Sequence, residues 1–294
     1  MGIVTKFKKV AIIGAGKVGS TLAIVLQKAG FPISGVLSRT KKSADSLAKP
    51  LRCKVFADEE QLIEQSDIII ITVPDNEIQS VVKKLVSFHL IKQSKFVFHT
   101  CGSQSADSLQ ELRKMGAYVG SLHPLQAFSS IDLAVEKMAG TYFAVDGDIK
   151  AIEIAKEMLK SFGGKVIEIS SNDRAIYHAA ACMASNYLVS VVYASVQMLN
   201  KVGIAENEAL QALKPILQGT VDNILANGTV KALTGPIVRG DLLTIEKHLQ
   251  KIDDLSNQEA SVYRELGLYT IKIAEKQKQL SKQQINDLNE LIKN

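Results

Sequence analysis

The sequence predicts an α/β fold, a doubly wound parallel sheet over residues 1–170, followed by an all-α domain over residues 171–294. Three observations lead there. Strand-like and helix-like stretches alternate from Val10 to Ile169, and repeated β–α alternation builds a parallel sheet with helices on both faces. A glycine turn separates the first strand from the first helix. After Ser170 no strand signal is convincing, and Gly203, Gly228 and Gly235-Pro236 punctuate helical stretches.

Strands are expected at Val10–Ile13, Ile33–Leu37, near Cys53–Phe56, and in the run Asp67–Pro74. That continuous β-branched run marks a strand buried on both faces. Further strands fall at Lys95–Phe98, Tyr118–Ser121, Tyr142–Val145 and Val166–Ile169. Helical periodicity covers Lys17–Ala29, a helix capped by Thr40 and running through Leu47, Asn76–Val86, Ser105–Met115 and Ile149–Phe162. The tail from Lys272 reads as a polar surface helix with a frayed end.

Composition bounds the function. The 294 residues carry 35 basic and 30 acidic side chains, a net charge of +5, and the basic residues are scattered. No stripe for nucleic acid forms, and small anionic ligands suit the surplus better. Cys53, Cys101 and Cys182 show neither a C-x-x-C pair nor metal-ligand spacing with histidines, so no metal site and a reducing compartment are expected. Lys6 spoils a myristoylation motif at Gly2, and no signal peptide is visible, so the expected location is cytoplasmic.

The stretch "VAIIGAGKVGS" places Gly14, Gly16 and Gly19 in G-x-G-x-x-G register, with Lys17 and Val18 between. The spacing gives a tight turn, a close backbone approach to a pyrophosphate and close helix–strand packing. The following helix N-terminus offers free N–H groups and partial positive charge. At the end of the second strand stand Ser38, Arg39 and Thr40, where an NAD site usually has an acid. A guanidinium and two hydroxyls suit a 2′-phosphate, so NADP is favoured over NAD. Thr40 also reads as a helix cap.

Other loops at strand ends are candidates because open α/β sheets bind ligands there. Val73 and Pro74 lie where they can pack beside a cofactor. His99, Thr100, Cys101, Gly102 and Ser103 follow the fifth strand, with Thr100 in reach of a nicotinamide. A structural role is the commoner one for His99, and nothing in the sequence lowers the Cys101 pKa toward a nucleophile's. In "SLHPLQAFS", Pro124 fixes the turn after His123, which aims an imidazole at the ligand edge. Hydride transfer to C=O or C=N needs a proton donor, and histidine titrates in a useful range.

From Ala175 to Asn200 the chain has no charged residue. At about 100° per residue, His178, Cys182, Ser185 and Asn186 share one side of a helix. A helix buried all round, with this side lining a cleft, explains the pattern better than a membrane span, in which His and Asn are costly. A hydrogen-bonded core pair is the alternative for His178 and Asn186. In "LTGPIVRGD", Thr234 and Arg239 are substrate candidates; Arg239 either clamps an anion or pairs with Asp241, which equally well caps the next helix.

The stretches "GAGKVG", "SRT", "HTCGS", "SLHPLQAFS", "YHAAACMASNYL" and "LTGPIVRGD" together resemble a family of NADP oxidoreductases. Its members have an N-terminal Rossmann-like domain and a C-terminal helical domain of unknown function. More distantly the chain is similar to the superfamily of 6-phosphogluconate dehydrogenase, ketopantoate reductase and pyrroline-5-carboxylate reductase. The resemblance implies a 6-phosphogluconate dehydrogenase-like helical domain around one long helix, commonly a homodimer, with substrate held between the domains. It also places Cys182 where β-hydroxyacid dehydrogenases of the superfamily carry a catalytic lysine.

The expectation is thus a Rossmann-type, NADP-dependent oxidoreductase acting on a carbonyl or imine of a small anionic metabolite. His123 or His178 would move the proton, Asn186 and Ser185 would meet substrate, and Arg239 would hold its charge. The rival, suggested by Cys182, is an NADP-binding sensor or partner-binding dimer without catalysis.

Overall fold

Short runs of buried apolar residues form one sheet. In chain order the strands are β1 (Val10–Ile13), β2 (Ile33–Leu37), β3 (Lys54–Val55) and β4 (Ile68–Ile71), then β5 (Phe96–His99), β6 (Tyr118–Pro124), β7 (Tyr142–Gly147) and β8 (Lys165–Glu168). Their order across the sheet is β3-β2-β1-β4-β5-β6-β7-β8. This computed structural model describes residues 8–89, 91 and 95–293.

All neighbouring pairs are parallel except β6 with β7, where Gly120 faces Gly147 and Pro124 faces Phe143. The expected parallel sheet is thus observed, with this one pair reversed. β4 is buried along its whole length, as its four isoleucines require.

The helices of this unit are α1 (Lys17–Lys28), α2 (Lys41–Leu51), α3 (Glu59–Gln65), α4 (Ile78–Ser87), α5 (Gln110–Lys114), α6 (Ile131–Lys137), α7 (Ile149–Ser161) and α8 (Arg174–Cys182). α3 and α6 are short and were not legible as periodic patterns. Each begins at a side-chain cap, Asp58 accepting from Gln61 N–H and Ser130 from Leu133 N–H. The sheet divides the apolar side chains into two layers, one around Ile12, Ile70 and Phe98, the other around Ile69, Val97 and Leu62.

The chain separates into two compact units, one through Ser185 and one from Asn186. The second contains α9 (Leu188–Lys201), α10 (Glu206–Lys231), α11 (Pro236–Arg239), α12 (Leu242–Leu255), α13 (Asn257–Gln277) and α14 (Lys282–Lys293). Ile245, Leu249, Ile271, Leu288 and Ile292 form its core. The tail is therefore corrected: α14 is polar on average, yet Leu288 and Ile292 are fully buried, because they fall four residues apart on one face.

One expectation about the uncharged run also changes. Met183–Tyr187 forms a π turn between α8 and α9. A π turn takes an extra residue, so ideal α spacing does not carry from Cys182 to Ser185 and Asn186. Within the single chain the run is largely exposed. Ser171–Lys201 is long and apolar enough to cross a membrane by length and composition, and only 6% of its apolar window is buried in the chain. Ile176, Tyr187, Val189 and Tyr193 are exposed.

Candidate functional site

The glycine turn is held from below by β4. Gly14 has φ +106°, a conformation natural to glycine. Its N–H donates to Leu37 O at 2.8 Å. Thr72, just past β4, donates its hydroxyl to Gly14 O at 2.6 Å. A Cβ on Gly19 would collide with Gly14 O and the Thr72 hydroxyl, whereas one on Gly16 would meet open space. The turn thus brings α1 hard against the sheet and leaves the backbone at Gly16 accessible, with Lys17 and Val18 opening the helix. No acidic residue stands in the first turn of α1, so nothing competes with an anion for its N–H groups. This cradle fits a pyrophosphate.

At the end of β2, Thr40 caps α2, its hydroxyl oxygen 3.4 Å from Ser43 N, and donates to Ser43 Oγ at 2.7 Å. Ser38 is half-buried and Arg39 is exposed. Among the described residues Arg39 takes part in no ion pair, which leaves its fork free. Val73 is half-buried and Pro74 exposed in the loop after β4, and Thr100 is half-buried, its N–H bonded to Ile71 O.

His99 is a brace. Its Nδ1 accepts from Cys101 N–H at 3.2 Å, which puts the ring proton on Nε2, 3.0 Å from Ser105 O. Burial lowers its pKa, and burial also raises that of the Cys101 thiol. Both ring nitrogens of His99 are thus committed to the loop, and the thiol keeps its proton.

The loop braced this way carries Gly102 to two other histidines. A Cβ there would collide with His178 Nδ1 and stand 2.8 Å from His123 Nε2. The two imidazoles are edge-to-face, with centroids 5.8 Å apart. Either histidine was a candidate by itself; the fold makes them neighbours. His123 Nδ1 lies 2.8 Å from the Tyr177 hydroxyl, and His178 Nε2 lies 3.6 Å from Cys182 Sγ. His178 Nδ1 is buried without a hydrogen-bond partner. Burial, then the neighbouring His178 and Arg174, lower the His123 pKa to about 4.

Beneath them lies an ion pair that sequence reasoning missed. Arg174 is 1% exposed and donates to Asp146 Oδ1 at 2.9 Å. It also donates to Ala144 O at 3.2 Å, and its guanidinium lies 5.9 Å from the Tyr177 ring centre. Asp146 accepts from Ala106 N–H as well, at 3.2 Å. Asp146 ends an apolar strand and Arg174 starts the uncharged helix. Asp148 stands two residues from Asp146 and Asp173 directly before Arg174, so no local pattern singles the pair out.

Ser185 and Asn186 are both exposed on the π turn. In the helical unit Thr234 and Arg239 line a cavity of about 620 Å³ with Lys231 and Lys276, and no acidic residue lines it. Asp241 caps α12, accepting from Thr244 N–H at 3.1 Å and from its hydroxyl at 2.7 Å. Arg239 is in no ion pair among the described residues, so the Arg239–Asp241 pair is not formed. No group of three His, Cys, Asp or Glu among those residues is placed to hold a metal ion.

No curated protein matches the sequence. A protein from Thermotoga maritima has a similar crystal structure, with TM-score 0.74, 25% identity and coverage of 92% of this chain and 99% of that one. A "putative NADP oxidoreductase" from Bacteroides fragilis gives TM-score 0.72 at 21% identity, covering 92% and 99%. Pyrroline carboxylate reductase from Plasmodium falciparum, with NADP bound, gives TM-score 0.53 at 15% identity, covering 98% and 97%. These likenesses are of fold. Residues 2–124 match the Rossmann-like domain family, and residues 141–270 match DUF2520, a domain of unknown function. The chain therefore pairs a Rossmann-like domain with a DUF2520 domain, the two-domain organisation of the family its motifs resemble.

Proposed function

We propose that the protein is an NADP-dependent oxidoreductase that moves a hydride between the nicotinamide and a carbonyl or imine carbon of a small anionic metabolite. The observation that carries this reading is the meeting of His123 and His178 across Gly102. They meet past the carboxyl ends of β5 and β6, the same edge of the sheet at which β1 ends in the glycine turn, and such sheets bind ligands there. Gly14, Gly16 and Gly19 would seat the pyrophosphate, and Ser38, Arg39 and Thr40 the 2′-phosphate. The bound nicotinamide would supply or accept the hydride; the protein's part is geometry and proton handling.

With a pKa of about 4, His123 is an uncharged imidazole at neutral pH. It offers an N–H and a lone pair, not a spare proton. A protonated imine brings its own charge and asks less of such a pair than a carbonyl does, so imines are the favoured half of the substrate range. The cation-lined cavity at Thr234 and Arg239 suits an anionic group. Exposed apolar side chains on α9, α10 and α13 suit a second copy of the chain.

Thermal melting with NADPH, NADH and no ligand tests the reading. Ligand at about 100 times Kd adds roughly 2.7 kcal/mol. The expected result is a rise of several degrees, larger with NADPH, with the difference abolished in Arg39→Ala. No rise with either nucleotide would defeat the proposal.

A further inference from the structure

We propose that Tyr177 is a positioning residue that decides which ring nitrogen of His123 carries the proton, giving the row Tyr177–His123–His178–Cys182 a single direction. This rests on reading His123 and His178 as the proton-handling pair.

Four groups stand in sequence: the Tyr177 hydroxyl 2.8 Å from His123 Nδ1, His123 Nε2 and His178 Nδ1 both beside the space over Gly102 with no hydrogen bond between them, and His178 Nε2 3.6 Å from Cys182 Sγ. Two orders of hydrogens are consistent with this row. In one, Tyr177 donates to His123 Nδ1, the His123 proton sits on Nε2 toward the bare Nδ1 of His178, and His178 Nε2–H points at the thiol. In the other every hydrogen is reversed, so that the thiol donates and the phenol oxygen accepts.

Donor and acceptor strengths separate them. A phenol is a strong donor and an imidazole nitrogen a strong acceptor, while a thiol is a weak donor. Burial raises the Tyr177 pKa, so the phenol keeps its proton. In the reversed order the half-buried phenol would turn that proton to solvent and give up its short bond to the imidazole as donor. The first order also leaves the buried Nδ1 of His178, which no hydrogen bond satisfies, as a bare acceptor at that space. Gly102 is part of the arrangement, because any side chain there would occupy the space between the two rings. The result is an N–H and a lone pair presented side by side above Gly102, ready for a group that both donates and accepts, as an imine nitrogen and its amine product do.

Long-range proton–nitrogen NMR of the full chain labelled with ¹⁵N-histidine reads this directly. The expected wild-type spectrum shows His123 protonated at Nε2 with Nδ1 as an acceptor. In Tyr177→Phe, which removes only the hydroxyl, the Nδ1–H tautomer of His123 is expected to become populated. A wild-type His123 protonated at Nδ1, or a tautomer unmoved in Tyr177→Phe, would overturn the proposal, and the wild-type spectrum decides even if the variant folds poorly. Failure of NADPH to shift the melting temperature would instead remove the oxidoreductase reading while leaving the tautomer result to stand.

Discussion

His123 is the residue whose environment has the clearest consequence in solution. Its ordinary value of 6.5 falls to about 4, with burial as the main cause and His178 and Arg174 next. A lowered histidine pKa means the unfolded chain takes up the proton first. The native state is therefore undisturbed above pH 6.5, loses stability as pH falls toward 4, and loses no more from this group below that. The full effect is about 3 kcal/mol. In His123→Gln that part of the acid limb should flatten, read as a smaller change in melting temperature between pH 7 and pH 4.5. An unchanged limb would show that His123 is not held neutral. Asp75 and His99 also act on this imidazole, in opposite senses.

At the level of elements, the glycine turn shows how one strand's end shapes the next element's start. Thr72 touches Ile13 O, Gly14 O and the place a Gly19 Cβ would fill. Thr72→Val keeps the shape and removes the hydroxyl, leaving the Gly14 carbonyl without that donor. The expected cost is about 1 kcal/mol of stability, with NADPH binding weakened several-fold by calorimetry. Thr72→Ser should restore both, and a Thr72→Val protein with unaltered affinity would mean the turn needs no buttress. A second lesson lies in α8. The i, i+4 relation of His178 and Cys182 was legible from spacing, but the π turn after Cys182 was not. Nothing in "MASNY" announces an extra residue in the turn, since a π turn is chosen by packing rather than by side-chain propensity.

For the whole molecule, the apolar surface of the helical unit sets the expectation. Leu225 is 80% exposed, and Ile216, Tyr193 and Tyr269 are above half. A soluble monomer rarely leaves so much apolar surface uncovered. Light scattering on the purified protein should give twice the chain mass of 31.9 kDa, and Leu225→Arg should shift it toward the single mass. A monomer in plain buffer would refute the second-copy reading. Solubility that requires detergent would point to the bilayer, for which Ser171–Lys201 is long enough.

The strands, the glycine turn, the caps at Thr40 and Asp241 and the helical second half were all determined by sequence alone. The forces behind them act between residues close in the chain: β-branched runs, a positive φ at Gly14, a side-chain oxygen three residues before its N–H partner. Tertiary structure decided the rest. The reversal of β7, the burial of α14, the Asp146–Arg174 pair and the meeting of Gly102, His123, Tyr177 and His178 join residues far apart in sequence. Their proximity depends on which strands lie side by side, and no local pattern encodes that order.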